Sequence, residues 1–315
     1  MKVLVAGSTG LVGTALSRAL ARDGHTVCRL IRPESAAKGR APVAEVPGER
    51  NKLNVAWNPV TGELGEGAAG ADAVVNLAGA SIASGRWSEN RKAVLRSSRL
   101  ETTRALVTAL AKMTAAPKVM VSASAIGYYG DRGEEELTEE SASGTDFLAG
   151  LCREWETEAL KAEAMGIRVV LARIGIVLAR EGGALPKMML PFRFFAGGKT
   201  GSGKQWMSWI ALDDVVGILR YAVENRAIRG PVNVVAPQPL RNAEFTKILA
   251  RAMHRPALFP APAFALRVAL GEMASALLLS SQRVMPSRLK QLGYKFSHPE
   301  LSDAISAVLK ADGSR

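Results

Sequence analysis

The stretch MKVLVAGSTGLVG, residues 1–13, decides the fold of this chain. Val3 to Ala6 form a short apolar run, which is typical of a parallel strand covered on both faces. From Val12 onward apolar residues recur at helical spacing, and Gly24 predicts the end of that helix. A glycine turn therefore joins a buried strand directly to a helix.

The glycines of this turn, Gly7, Gly10 and Gly13, follow the pattern GxxGxxG. In a dinucleotide-binding turn the first glycine permits the bend, the second lets the backbone approach a pyrophosphate, and the third lets the helix pack against the strand. The helix N-terminus would present free N–H groups to the phosphates. Because the commoner fingerprint is GxGxxG, glycines that only make a turn are the alternative. The predicted cofactor-binding residues here are Gly7, Ser8, Thr9, Gly10, Leu11, Val12 and Gly13.

The end of the second predicted strand favours NADP over NAD. An acidic residue about twenty positions beyond the glycine turn would hold the ribose 2′-hydroxyl of NAD, whereas a cation accommodates the 2′-phosphate of NADP. Arg32 stands at this position, and Lys38 and Arg40 follow. A guanidinium suits a phosphate, although an ordinary solvated loop residue is the alternative for Arg32.

Strands and helices alternate along most of the chain, which predicts an α/β fold with a Rossmann-type, doubly wound parallel sheet. After residue 178 the pattern loosens into a mostly helical part. The predicted strands are Val3–Ala6, His25–Ile31, Val43–Val46, Leu53–Trp57, Ala73–Gly79, Lys118–Ser122, Ile167–Leu178, Gln205–Ile210 and Pro231–Ala236, and the predicted helices include Ser88–Met113, Asp146–Met165, Asp213–Val223, Asn242–Met253, Phe264–Leu279 and Leu301–Leu309.

Two further segments border the expected ligand crevice. Backbone at the carboxyl end of a buried strand lines the crevice of an open α/β sheet, so we expect Leu77, Ala78 and Gly79 to contact the cofactor. Hydroxyl groups cluster after the strand that begins at Lys118, in the stretch SASAIGYYG, residues 122–130. The acidic loop that follows, with Glu134 to Glu140, is interpreted as solvated surface without a role.

Composition limits the classes of partner. With 48% hydrophobic and 22% charged residues, the 315-residue chain has enough apolar side chains for a sizeable core. The net charge is +12, but the cations are scattered with few interleaved aromatic residues, so we expect a soluble basic protein with no nucleic-acid partner. A nucleic-acid-binding protein, marked by a steep salt dependence of DNA affinity, is the alternative.

Cysteine usage and hydropathy indicate a cytoplasmic protein with no membrane partner. Cys28 and Cys152 lie far apart and form no metal or redox motif, which favours a reducing compartment. The apolar stretch Phe264–Leu279 contains Arg267 and Glu272, and this predicts an amphipathic helix rather than a membrane span. The three histidines have no spacing for zinc.

The segment Gly198–Lys204 partly matches the sequence motif of a phosphate-binding P-loop. The match ends at Gln205, where the motif requires a Ser or Thr whose hydroxyl binds magnesium. The context also differs from that of a P-loop, because a strand pattern follows where a P-loop needs a helix. We therefore do not expect an ATP site.

Four segments together resemble the extended short-chain dehydrogenase/reductase family, and within it the atypical "epimerase family" branch of sugar-epimerase-like proteins. Arg86-Trp87-Ser88 and the tail from Phe264 through Tyr294 are similar to that branch. The resemblance implies a nucleotide domain over residues 1–178 and 206–236, with a small substrate domain over residues 179–205 and 237–315. The four segments are Val5–Gly13, Val74–Gly79, Ser122–Gly130 and Trp209–Asp214.

The resemblance also implies a catalytic Tyr four residues before a Lys on the helix after the serine strand. The Tyr would act as general acid/base, with its pKa lowered by the Lys. Alignment on Glu156 puts Leu148 and Cys152 at the two positions, and a shift by one residue gives Phe147 and Leu151. The usual proton-transfer pair is absent.

Ser124, Tyr128 and Tyr129 are the candidates to replace that pair. Ser124 matches the family's strand-end hydroxyl if one extra residue precedes Tyr129-Gly130. An ordinary tyrosine needs a nearby cation or dipole to transfer protons at neutral pH. The alternatives are tyrosines packed with satisfied hydroxyls and a serine bonded to local backbone.

We therefore predict an NADP-dependent oxidoreductase or epimerase that acts on a carbonyl or hydroxyl of a small substrate, nucleotide-linked compounds included. Hydride transfer belongs to the cofactor, so the protein needs mainly orientation and one proton donor. The alternative is a non-catalytic NADP(H)-binding sensor or scaffold, because the Tyr and Lys are missing.

Overall fold

The computed structural model describes residues 1–32 and 52–310. The predicted strand Val43–Val46, and Lys38 and Arg40, lie outside the described residues. The strands are β1 (Lys2–Ala6), β2 (Thr26–Ile31), β3 (Lys52–Asn58), β4 (Glu63–Leu64), β5 (Ala73–Asn76), β6 (Val119–Ala125), β7 (Glu136–Leu137), β8 (Arg168–Ile174), β9 (Ile176–Leu178), β10 (Trp206–Met207), β11 (Trp209–Ala211), β12 (Gly230–Val234), β13 (Leu240–Arg241) and β14 (Arg283–Val284). The helices are α1 (Leu11–Arg22), α2 (Glu89–Ala111), α3 (Phe147–Leu160), α4 (Leu185–Arg193), α5 (Leu212–Glu224), α6 (Asn242–Ala252), α7 (Ala263–Leu270), α8 (Glu272–Ala274), α9 (Ser287–Gln291) and α10 (Leu301–Lys310), with short 3₁₀ segments at Glu66–Ala68, Ile126–Tyr129 and Lys161–Met165 and a π turn at Ser275–Leu279.

The described residues form an eight-stranded central sheet in the order β12-β8-β6-β5-β1-β2-β3-β4. Every neighbouring pair is parallel except β3 and β4 at one edge. The chain builds outward from β1 through β2 and β3, and then returns to the other side of β1 with β5. In such a sheet this reversal opens a crevice at the carboxyl ends of the strands. The doubly wound, Rossmann-type α/β fold predicted from the sequence is confirmed.

Apolar residues cover both faces of this sheet, because successive side chains of a strand point to opposite faces. Val3 and Val5 of β1 pack into a core that includes Leu16 of α1 and Ile218 of α5. Leu4 and Ala6 pack into the opposite core, against α2 and the end of α3. Both faces are therefore buried, which is why the strands are continuous apolar runs rather than alternating ones.

The predicted single strand Ile167–Leu178 is wrong, because the chain leaves the central sheet at Gly175. The main chain of Ser208 passes so close that a Cβ on Gly175 would lie 2.7 Å from the Ser208 carbonyl oxygen. The strand beyond it, β9, pairs with β11 in a separate two-stranded sheet. The sequence pattern is continuous here because both halves are apolar.

The predicted helix Phe264–Leu279 is also wrong as one element. Gly271 has φ of 64°, a left-handed conformation that ends α7 and turns the chain into α8 and the π turn. In the described part of the chain, no helix combines the length and apolar character needed to cross a membrane.

A third apolar core lies beneath the C-terminal helices. It joins Trp209 of β11 to Phe245 and Leu249 of α6 and to Leu301 and Ile305 of α10. The division into two domains, residues 1–178 with 206–236 and residues 179–205 with 237–315, stays a prediction.

We expect Gly175→Ala to lower the free energy of unfolding by about 1–3 kcal/mol, because the added methyl group overpacks a contact with main chain. The matched control is Gly150→Ala within α3, where the nearest atom to a Cβ is the far end of the Arg153 side chain at 3.8 Å. This control should raise stability by about 0.5–1 kcal/mol, since alanine is the better helix former. Urea unfolding measures the change in the free energy of unfolding for both variants. Equal changes in the two variants would contradict the close contact at Gly175.

Candidate cofactor and active site

The glycine turn lies at the carboxyl end of β1 and is closed by main-chain contacts. Gly7 has φ of 74°, and a Cβ there would lie 2.6 Å from the carbonyl carbon and oxygen of Leu77. A Cβ on Gly13 would lie 2.2 Å from the Gly7 carbonyl oxygen. Only glycine allows strand, helix and neighbouring loop to approach this closely. Gly10 differs, because among the described residues its Cβ would meet only the Gly7 oxygen, at 3.4 Å.

The N-terminus of α1 offers hydrogen-bond donors at this turn. Its N-cap residue, Gly10, has no side chain to bond the first N–H groups, which also lack partners within a helix. Thr9 and Gly10 are exposed, and Leu11 and Val12 are half-buried. Ser8 is 2% exposed, and its Oγ has no hydrogen-bond partner among the described residues. Together with the helix dipole, these donors favour an anionic group such as a phosphate.

The loop after β5 forms the opposite wall of the crevice. The Leu77 N–H donates to the Ala6 carbonyl, and the Ala78 N–H donates to Asn76 Oδ1. Gly79 packs against Arg99, whose Cζ would lie 3.2 Å from a Cβ at that position. Leu77, Ala78 and Gly79 therefore lie beside the glycine turn, as expected from the sequence.

Arg99 of α2 supports this loop, and sequence reasoning missed it. Its guanidinium donates to the carbonyl oxygens of Ala80 and Leu95 and stacks 5.2 Å from the Trp155 ring. Burial lowers the pKa of Arg99. An arginine in the middle of a helix carries no motif, so the sequence offers no signal for this contact.

Arg32 is exposed at the carboxyl end of β2. Leu30 of β2 pairs with Ala6 of β1, so Arg32 stands at the level of the glycine turn that follows Ala6. A side chain here is placed to reach the adenosine end of a dinucleotide that lies along the turn.

Ser124 faces helix α3 rather than the open crevice. Its Oγ donates to Glu156 Oε1 at 2.7 Å, and Ser124 is 3% exposed. Glu156 forms a two-point ion pair with Arg173, whose Nε and Nη2 donate at 2.8 and 2.9 Å. Burial alone would lower the pKa of Arg173, but Glu156 and Tyr129 hold it above its usual value.

Tyr129 belongs to the same buried network. Its hydroxyl donates to Asn233 Oδ1 at 2.6 Å and accepts from Arg173 Nη1 at 3.0 Å. Burial raises the pKa of Tyr129 to about 12, so the phenol stays protonated at neutral pH. Asn233 continues the network by donating to the Met285 carbonyl and, through its N–H, to Glu139 Oε1.

Strand register explains why this network forms. Ser124, Arg173 and Asn233 are cross-strand partners on β6, β8 and β12, so they occupy one row on one face of the sheet. These contacts favour the interpretation in which the hydroxyls of Ser124 and Tyr129 are structural. Their catalytic roles stay predictions.

Glu139 corrects the interpretation of the acidic loop as solvated surface. It is 4% exposed and accepts hydrogen bonds from the main-chain N–H groups of Asn233 and Arg288. The network therefore reaches the segment that leads into α9. The sequence does not distinguish Glu139 from the exposed glutamates beside it, because its hydrogen-bond partners are distant in sequence.

Tyr128 is the remaining candidate, and it is half-exposed. The Arg173 guanidinium lies 3.4 Å from the centre of its ring, and the Tyr129 ring lies edge-on at 5.3 Å. No hydrogen bond to the Tyr128 hydroxyl is seen within residues 1–32 and 52–310. Its ring is thus held by Arg173 while its hydroxyl stays available.

Both alignment frames put apolar or inert side chains at the positions of the usual Tyr and Lys. In the frame shifted by one residue these are Phe147 and Leu151, which belong to an apolar cluster. In the other frame they are Leu148 and Cys152. Leu148 is 7% exposed and packs in a cluster with Trp87 and Met273. Cys152 is buried with its Sγ 3.8 Å from the Ala125 carbonyl oxygen, and burial raises the pKa of its thiol to about 11. Neither side chain transfers protons at neutral pH.

The geometry thus combines a closely packed glycine turn with a buried polar network at the strand ends of a doubly wound sheet. The family model described as "NAD dependent epimerase/dehydratase family" matches residues 3–235. The chain belongs to this family. A second model, a domain of unknown function, matches residues 261–308.

Relatives within this epimerase/dehydratase family match along nearly the whole chain. An epimerase family protein of Mycobacterium leprae is 41% identical over 96% of this chain and 94% of its own length. The crystal structure of human epimerase family protein SDR39U1, which contains NADPH, is 36% identical with a TM-score of 0.86 and covers 98% of this chain and 99% of that one. A nucleoside-diphosphate sugar epimerase from Corynebacterium glutamicum is 37% identical with a TM-score of 0.74, over 98% of this chain and 58% of that one.

The local structure also excludes a P-loop at residues 198–204. Residues 201–203 form a turn and a bend, and the short strands β10 and β11 follow where a P-loop needs a helix. Among the described residues, no group of three His, Cys, Asp or Glu side chains is arranged to hold a metal ion.

We expect Glu156→Gln to lower the free energy of unfolding by about 3–5 kcal/mol, because it leaves the Arg173 charge buried without its counterion. The control is Glu154→Gln on the same helix, which breaks an exposed pair with Arg96 whose side chains are 42% and 47% exposed. That change should cost less than about 1 kcal/mol. Chemical denaturation checks both, and a similar small loss in each would show that the buried pair is not a strong constraint.

Proposed function

We propose that this chain binds NADPH in the crevice between the glycine turn and the loop after β5. The observation that carries the proposal is the close packing of Gly7 and Gly13, which brings the N-terminus of α1 to the carboxyl end of β1 beside the Leu77 backbone, at the switch point of the sheet. The unpartnered, buried Ser8 Oγ and the uncapped helix N-terminus suit a pyrophosphate. The NADPH found in the human relative supports the same cofactor.

In this proposal different residues bind different parts of the cofactor. The main-chain N–H groups from Ser8 to Gly13 hold the pyrophosphate, and Arg32 binds the 2′-phosphate. The backbone of Leu77, Ala78 and Gly79 lines the other wall, with Arg99 behind it.

We further propose that the chain is an oxidoreductase or epimerase acting on a carbonyl or hydroxyl of a small substrate, nucleotide-linked compounds included. NADPH supplies the hydride when it is bound. Tyr128 provides the proton at its hydroxyl, because Ser124 and Tyr129 already use theirs within the buried network. Arg173, fixed by Glu156, orients the Tyr128 ring and stabilises negative charge near it.

A non-catalytic NADPH-binding sensor or scaffold is the second candidate. It is favoured by Leu148, which fills the expected proton-donor position within an apolar cluster. We also propose a cytoplasmic location, supported by Cys28 and Cys152, which are both free and buried.

We expect Arg32→Asp to weaken NADPH binding at least about tenfold while changing NADH binding much less, because a charge-assisted contact to the 2′-phosphate is lost. Arg18→Asp on the exposed side of α1 makes the same change of charge without approaching the turn and should leave both affinities near wild type. Titration calorimetry measures the affinity of each of the two variants for NADPH and for NADH. Equal weakening of both nucleotides by Arg32→Asp would mean that Arg32 does not contact the extra phosphate.

We expect wild-type protein to oxidise NADPH with members of a carbonyl library, and Tyr128→Phe to lower the rate about a hundredfold while the affinity for NADPH is unchanged. Loss of NADPH absorbance measures net reduction, and chromatography of sugar nucleotides detects epimerisation without net cofactor use. Tyr221→Phe, a tyrosine on α5 far from the crevice, is the control. A folded, NADPH-loaded wild-type protein that is inert in both assays would favour the sensor.

A further inference from the structure

A cluster of exposed aromatic and aliphatic side chains lies on the C-terminal part of the molecule. The members are each more than half exposed, with Phe194 at 75% and Phe259 at 60%. The Phe259 N–H donates to the Gly197 carbonyl, which joins the loop after α4 to the loop after α6. We name this surface the aromatic patch, and it consists of Leu190, Phe194, Phe195, Leu258 and Phe259.

The backbone turns sharply at this patch, directly after two helices. Phe195 has φ of 58° and His254 has φ of 52°, and they are the non-glycine residues with a left-handed backbone in the described ranges. They follow the last residues of α4 and α6, where the N–H groups of Ala196 and Arg255 donate to the carbonyls of Pro191 and Ala250, as in a Schellman helix end. These two helix ends place Phe195, which is 54% exposed, beside Arg255.

A cationic groove adjoins the aromatic patch. It has a volume of about 490 Å³ and is lined by Lys247, Arg251, His254 and Arg255, together with Ala250 and Ala257. The Arg255 guanidinium lies 4.6 Å from the centre of the Phe195 ring, so groove and patch are continuous. We name this feature the cationic groove.

The two segments that carry both features contain no acidic residue. Residues 182–212 and 245–271 contain eight Lys or Arg residues and no Asp or Glu, while the net charge of the chain is +12. In the described parts of the molecule, none of these eight cations forms an ion pair with a carboxylate. Three of these cations, Lys247, Arg251 and Arg255, line the cationic groove itself. The eight cations are Lys187, Arg193, Lys199, Lys204, Lys247, Arg251, Arg255 and Arg267.

We propose that this surface binds the face of an anionic lipid bilayer. Stable attachment of a protein to a membrane surface needs an apolar contribution together with basic residues, and both are present here. The cationic groove takes the phosphate of a lipid headgroup, and the aromatic patch enters the interface beside it. A bilayer suits the patch better than a protein partner does, because its rings project from loop tips and do not line an apolar groove.

Helix α7 extends the same surface. None of its residues is buried, and Phe264 and Val268 are 71% and 73% exposed. Its first residue, Ala263, lies within 3.7 Å of a Cβ built on Gly201, in the loop that pairs with the segment after Phe259. The proposal departs from the expectation that no membrane takes part, since it concerns surface attachment and not a membrane span.

The test is flotation of the full chain with vesicles of phosphatidylcholine and phosphatidylglycerol mixed three to one, compared with phosphatidylcholine alone. We expect binding to the mixed vesicles only, with release at high salt. Replacing the three cations of the groove by Gln should weaken binding about fivefold for each charge removed. Phe194→Ser combined with Phe259→Ser should weaken it independently. The groove changes are Lys247→Gln, Arg251→Gln and Arg255→Gln.

Matched controls separate a local surface from overall charge. Arg18→Gln, Lys112→Gln and Lys118→Gln together remove the same charge from exposed sites elsewhere. Val60→Ser alters an apolar side chain that is 88% exposed in the turn between β3 and β4. Both controls should bind the mixed vesicles within about twofold of wild type. Thermal unfolding establishes that every variant is folded.

Several results would overturn the proposal. One is equal binding to the two kinds of vesicle, and another is a loss in the charge control as large as that in the groove variant. Binding of glycerol phosphate without any binding to vesicles would assign the groove to a free anion. A dimer that Phe194→Ser and Phe259→Ser convert to monomer, again without vesicle binding, would assign the patch to self-association. None of these readouts depends on the proposed catalytic activity.

Discussion

The ion pair between Arg173 and Glu156 is the constraint on which the strand ends depend. Two charges removed from water are costly unless their remaining hydrogen-bonding groups are also satisfied. Here Arg173 donates to both oxygens of Glu156, to the Tyr129 hydroxyl and to the Glu139 carbonyl, and Ser124 donates to Glu156 as well. Helix α3, strands β6 and β8 and the turn after β6 are thereby fixed relative to one another.

The same network links the central sheet to the C-terminal part of the molecule. Asn233 on the edge strand β12 bonds the Met285 carbonyl, and Glu139 accepts from the N–H of Arg288. The polar row on β6, β8 and β12 thereby fixes the segment around Met285 and Arg288 to the strand ends. Tyr128 is the member of this group that remains partly exposed.

The predictable features of this protein are those with a local signal in the sequence. The glycine turn is such a feature, because a tight bend, a buried strand and an amphipathic helix occur within about twenty residues. The order of strands and helices follows for the same reason. The assignment of NADP rests on one side chain, Arg32, whose neighbours Lys38 and Arg40 lie outside the described residues.

What the sequence does not predict depends on contacts between distant residues. Tyr129 and Asn233 are 104 positions apart, and Arg99 contacts a loop 19 positions away. The break at Gly175 is invisible because only the approach of Ser208 reveals it. The association of two segments that lack acidic residues is hidden in the same way, because it depends on pairing between residues 197–201 and 259–261.

The departure of the chain from the central sheet at Gly175 also bears on how such a protein changes over evolution. The chain leaves the sheet after Ile174, forms β9, β10 and β11 elsewhere, and comes back at Gly230 to supply the edge strand. The segment that leaves the sheet is therefore inserted between two of its neighbouring strands, β8 and β12. A single recombination event within this interval would pair β8 of one parent with β12 of the other, so exchange of the inserted segment alone between relatives requires two crossovers, one on each side of it.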